Sequence, residues 1–208
     1  MKNDKILPVL FSVIPMEQIE SVTWYGNRKG KDTDLFVVLK DNDDKYGGFF
    51  YEQLDIAFLS RSLVSPLIEN LDPLITEPLL TGEGIFGSID QDRESLLATR
   101  VHNKVPMYLL KRAETFYEWA TSAAYDGRFP NALNILNFVY SYSLYAFRYW
   151  GGNDVVLFKD ILSSKDGLWI REFRYKYKNS KHIHESEVLK AFTDTRKMLT
   201  DLRLIVGL

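Results

Sequence analysis

The chain predicts an α+β fold, with a small mixed sheet over residues 1–88 followed by an all-α helical bundle over residues 89–208. Three observations lead there. Up to Ile89, short β-branched and aromatic runs alternate with glycine-rich turns. Beyond it, apolar residues recur at helical spacing. Between Gly26 and Leu59, carboxylates enter runs that otherwise read as apolar strands.

Residues 3–19 read as a short helix or two turns, interrupted by Pro8 and Pro15. The apolar run Ile6 to Ile14 is too short to span a bilayer, and no small-residue cleavage site follows it. Ser21 to Tyr25 reads as a strand, closed by a turn at Gly26. A second strand covers 34–40, and 41–48 is a polar loop ending in Gly47-Gly48. A third strand, 49–59, carries Asp55. A helix over 61–70 is ended by Asp72-Pro73, and 77–87 reads as a final strand with a glycine-rich turn.

In the second half, Leu109, Ala113, Phe116, Ala120 and Ala124 form one stripe. Asp126-Gly127-Arg128-Phe129-Pro130 breaks it. A second stripe, Leu133, Leu136, Tyr140, Leu144 and Phe147, runs to Gly151-Gly152. Asp154 to Leu162 reads as a short helix, and 165–184 as polar and irregular. Val188, Phe192, Thr195, Leu199 and Leu202 make the last stripe. Antiparallel helices with short connections form a bundle.

Composition narrows the chemistry. Of 208 residues, 46% are hydrophobic and 26% charged, enough to bury a core without disulfides. The absence of cysteine excludes thiol nucleophiles and zinc–thiolate sites and is compatible with a reducing cytoplasm. A net charge of -2 gives no electrostatic reason for a long nucleic-acid footprint.

Asp32 and Asp34 stand two apart at the mouth of a strand, so they project to the same face. Asp55, on a neighbouring strand, can converge on them. Three carboxylates on one face repel each other unless a cation sits between them. A hard ion such as Mg²⁺, or Mn²⁺, suits oxygen donors and brings triphosphate oxygens as further ligands. Gly26 permits close approach of backbone to phosphate, and Arg28, Lys29 and Lys31 add positive charge.

The stretch Gly26-Asn27 … Asp32-Thr33-Asp34 … Asp55 resembles the signature of the polymerase-beta-like nucleotidyltransferase superfamily. Asn27 stands where the family carries Ser, and the loop between Asn27 and Asp32 is shorter than usual. Leu79 to Phe86 is similar to the strand-turn that closes the small domain in minimal and antibiotic-modifying members. The helical half resembles, in outline, the substrate-binding and HEPN-like bundles that accompany them. The resemblance implies that Asp32, Asp34 and Asp55 bind metal, with Asp55 also helping to deprotonate the acceptor hydroxyl. It implies that Gly26 and Asn27 cradle the β- and γ-phosphates, with Arg28 and Lys31 beside them.

The implied activity is Mg²⁺-dependent transfer of a nucleoside monophosphate from a triphosphate, with ATP the first choice. The acceptor hydroxyl belongs to a small molecule of the aminoglycoside or lincosamide kind, or to a protein or tRNA. The partners expected are the nucleotide and that acceptor. Nucleic acid is not favoured, no membrane is involved, and a homodimer stays open. The alternative is a catalytically degenerate module that senses nucleotide or pairs with another subunit, as in toxin–antitoxin systems.

Other residues read more plainly. His102, His182 and His184 lack metal-ligand spacing with acidic partners. Arg174 and His182 are too far apart for the Arg–His motif of HEPN ribonucleases. The charged and aromatic stretch Arg171 to Lys181 reads as half-buried, with contact to a base as the second reading. Tyr140, Tyr142, Tyr145, Tyr149 and Trp150 read as core, with an acceptor pocket as the second reading. Glu114 and Glu118 are general-base candidates that nothing in the sequence selects.

Overall fold

The structure is a computed structural model describing residues 3–26, 33–41, 43–152, 157–165, 167–168, 170–172 and 183–207. It is α+β, with two units that divide between Thr99 and Arg100.

The first unit opens with helix α1 (Asn3–Phe11), a 3-10 turn at Met16–Gln18, and strands β1 (Ile19–Tyr25) and β2 (Thr33–Leu39). Pro8 lies inside α1, which runs through it. Then come β3 (Tyr46–Tyr51), β4 (Leu54–Ser60), helices α2 (Arg61–Glu69) and α3 (Pro73–Thr81), β5 (Glu83–Phe86) and helix α4 (Asp90–Ala98). The sheet order is β3-β4-β2-β1-β5. Among the described residues only β2 and β4 pair parallel; the other three pairings are antiparallel.

Alternation along the strands gives the sheet two distinct faces. Leu35, Val37, Leu54 and Ile56 form a core with Ile6, Leu10 and Ile14. The opposite face presents Thr23 and Tyr25 on β1, Asp34 and Phe36 on β2, and Asp55 and Ala57 on β4. The end of α3 lies on this second face, since a β-carbon on Gly82 would collide with the Thr23 side chain.

Two expected strands are corrected. The single strand 49–59 is a hairpin: Glu52 takes a left-handed φ of 53° and turns β3 back along β4. The strand expected over 77–87 is helix as far as Thr81. Asp72 is buried and caps that helix, accepting from Leu74 N at 2.9 Å, with Pro73 in its first turn. Asp72-Pro73 thus starts a helix as well as ending one.

Helix α4 belongs with the sheet, which moves the division beyond residue 88. Arg93 Nε donates to Leu79 O at 2.7 Å and Nη2 to Gly82 O at 2.8 Å, satisfying carbonyls at the end of α3. Arg61 bridges Asp92 at 2.7 Å and Glu20 at 3.3 Å.

The second unit holds α5 (Lys104–Tyr125), α6 (Phe129–Trp150), the short α7 (Phe158–Ser163) and α8 (Glu185–Val206). Gly127, with φ of 73°, makes the turn between α5 and α6. Leu109, Ala113 and Ala120 are buried, as are Leu133, Leu136, Tyr140 and Leu144. Val188, Thr195, Leu199 and Leu202 are buried on α8, where Thr195 Oγ1 donates to Tyr140 OH at 3.0 Å. Tyr142, Tyr145 and Tyr149 are core, while Trp150 is 51% exposed. Among the described residues no helix is long and apolar enough to cross a membrane. The stretch 173–182, with Arg174 and His182, lies outside them.

Candidate active site

The site is a row across the sheet. On parallel strands, Asp34 of β2 is level with Asp55 of β4. On the other side, Tyr25 of β1 is level with Asp34. Residues level on paired strands point to the same face, with strands about 4.8 Å apart. Thr33 N donates to Gln53 O at 2.8 Å, tying the start of β2 to the tip of the hairpin.

Gly26 follows Tyr25 with φ of 77°, in the left-handed region. The space a β-carbon would take there is filled by Asp34 Oδ2. The turn and the carboxylate are therefore in direct contact, and no other residue type fits without moving Asp34.

Burial raises the Tyr25 phenol above its ordinary range, and the negative charges of Asp34, Asp55 and Glu77 raise it further. The hydroxyl stays protonated at neutral pH. Glu77 is half-buried on α3, whose last turn lies against β1.

Of the expected residues, Gly26, Asp34 and Asp55 come together. Asn27, Arg28, Lys29, Lys31 and Asp32 lie outside the described residues. Asp55 is exposed. Its neighbours Leu54 and Ile56 supply the burial in that segment, from the opposite face.

Tyr25 and Glu77 were not legible as members. Tyr25 reads only as a strand end, and Glu77 falls in a stretch whose leucines mimic a strand. Glu114 bonds to Arg203, which occupies it as an ion-pair partner. Glu118 is exposed on α5. His102 Nδ1 accepts from Lys104 N at 3.3 Å, and His184 precedes the first turn of α8.

Among the described residues, no group of three or more carboxylate or imidazole side chains is placed to hold a metal ion. The donor chemistry of the row nevertheless suits a hard cation. Two level carboxylates, one exposed and one half-buried, offer oxygen ligands while leaving open positions for water or phosphate.

No family model matches the sequence, and no curated protein matches it. Among solved structures, the chain is similar to a nucleotidyltransferase-like protein from Exiguobacterium sibiricum 255-15. The identity is 11% and the TM-score 0.44, with 99% of this chain and 76% of that one covered. An overlay that loose assigns no chemistry, which rests here on the carboxylate row.

Proposed function

We propose that the chain is a Mg²⁺-dependent nucleotidyltransferase that moves a nucleoside monophosphate from a nucleoside triphosphate, ATP first, to an acceptor hydroxyl. The observation that carries the reading is the level pair Asp34 and Asp55, with the Gly26 turn pressed against Asp34. A pair of carboxylates beside a tight glycine turn supports metal and phosphate binding side by side.

In this reading Asp34 and Asp55 hold the cation, with Asp32 as the third ligand, and Mn²⁺ substitutes for Mg²⁺. When bound, the cation neutralises triphosphate charge. Gly26 and Asn27 receive the β- and γ-phosphates, and Arg28 and Lys31 add positive charge beside them. Asp55 accepts the proton of the acceptor hydroxyl. The acceptor oxygen then bonds to the α-phosphorus as the bond to the β-phosphate oxygen breaks, and pyrophosphate leaves. Tyr25 stays neutral beside the carboxylate row and so adds no further negative charge to it. A small-molecule acceptor of the antibiotic kind is the first choice, with a protein or tRNA hydroxyl second. The protein would act in the cytoplasm.

Incubation with Mg²⁺ and each labelled triphosphate, with and without acceptors, tests the reading. Pyrophosphate release should fall by about a hundredfold or more in Asp34→Ala. Asn27 in place of Ser and the short loop after it favour a second reading, a nucleotide sensor. Thermal stabilisation by nucleotide without turnover would select it.

A further inference from the structure

The row of Tyr25, Asp34 and Asp55 does not stop at Asp55. Phe50 of β3 is level with Asp55 across the hairpin. Since β3 is an edge strand, Phe50 has sheet on one side only. Alternation along β3 sends Phe49 to the opposite face, where its ring lies 6.1 Å from that of Phe58 and packs on the core. Phe50 instead shares the face of the carboxylates and is 58% exposed. Four residues back on the same face stands Tyr46, 39% exposed.

Between these two rings lie Gly48 of β3 and its neighbour Ala57 of β4. Neither carries a side chain that rises above the sheet. A β-carbon on Gly48 would stand 3.1 Å from Ile56 O, so that floor is close to the backbone. An exposed aromatic ring next to an exposed carboxylate, with a low floor beside both, has the form of a subsite for a ring that bears a hydroxyl.

We propose that Phe50 is the platform on which the acceptor's ring lies, over Gly48 and Ala57, with its hydroxyl presented to Asp55. The acceptor is then a hydroxylated ring compound, a sugar or a nucleoside, rather than an unstructured peptide. This inference rests on the transferase reading, because Asp55 is the acceptor-side carboxylate only within it. The nucleotide lies toward Gly26, at the far end of the row from Phe50, so the two ligands are served by different residues.

The experiment has two arms on the full chain. In the first, ATP is titrated in the presence of Mn²⁺ into the wild type, Asp34→Asn and Phe50→Ala. In the second, adenosine and kanamycin A serve as ring probes, titrated with ATP absent into the wild type, Phe50→Ala and Phe50→Trp. Circular dichroism confirms that each variant is folded. The expected result is a loss of about tenfold in ring-probe affinity for Phe50→Ala, the size of one stacking contact, with recovery in Phe50→Trp. That change should fall on the ring probe and not on ATP. Adenosine alone responding selects a nucleoside acceptor, and kanamycin A alone selects a sugar.

The inference is overturned if neither probe binds the wild type, if Phe50→Ala binds both as tightly, or if ATP affinity falls by the same factor. Should ATP fail to bind the wild type while the ring effect persists, the transferase reading is lost and Phe50 stands as a ring-binding platform.

Discussion

Gly26 carries two constraints at once. Its φ of 77° costs a residue with a β-carbon about 1–2 kcal/mol, and the space for that carbon belongs to Asp34. Gly26→Ala should therefore lower stability by at least that much in urea unfolding, and should abolish Mn²⁺-dependent ATP binding by calorimetry. Tyr25 yields a prediction of a different kind. Its phenol titrates above the ordinary value near 10, so above pH 10 the unfolded chain releases this proton more readily than the folded one. Stability from this group is fully present below pH 10 and declines as pH rises beyond it. Without divalent ions, the alkaline decline in urea midpoint should be shallower in Tyr25→Phe than in the wild type. The residue types at this site were visible in the sequence: a glycine turn and acids entering apolar runs. What the sequence hid was Tyr25, because only the register of β1 against β2 brings it level with Asp34.

At the level of elements, legibility followed the strength of the periodic signal. Leu133, Leu136, Tyr140 and Leu144 recur over about three turns of one helix, and all four are buried. The runs 49–59 and 77–87 gave two shorter signals, and both were misread. In the first, Glu52 reverses the chain from a left-handed conformation that its side chain does not advertise. In the second, the leucines at 79 and 80 suit a strand, and the decisive residue, Asp72, lies well upstream. Asp72→Ala removes an N-cap that is itself buried and should cost about 1–2 kcal/mol, measured by urea unfolding. Arg93 ties two carbonyls at the other end of that helix, so Arg93→Ala should lower the same midpoint.

For the whole chain, the break in character near Ile89 was legible, whereas the place where the chain divides was not. Helix α4 has helical periodicity and so reads with the bundle, yet Arg61–Asp92 and the Arg93 contacts attach it to the sheet. Polar contacts between distant segments leave no periodic trace. The connection at 99–103 has no helix or strand, and Arg100 is exposed. Connections between units are where proteases cut. Limited trypsin digestion should therefore cut between Arg100 and Val101, and Arg100→Gln should remove that cut from the mass spectrum.

The parallel pairing of β2 with β4 has one more consequence. Backbone hydrogen bonds, not side-chain rotamers or loop lengths, keep the two acids abreast. The tip at Glu52 and Gln53 can thus be rebuilt or lengthened while the pair stays matched. Inserting a single amino acid between Leu54 and Asp55, with Leu54 kept opposite Thr33, would turn the second acid through the sheet, stranding it among the aliphatic side chains beneath.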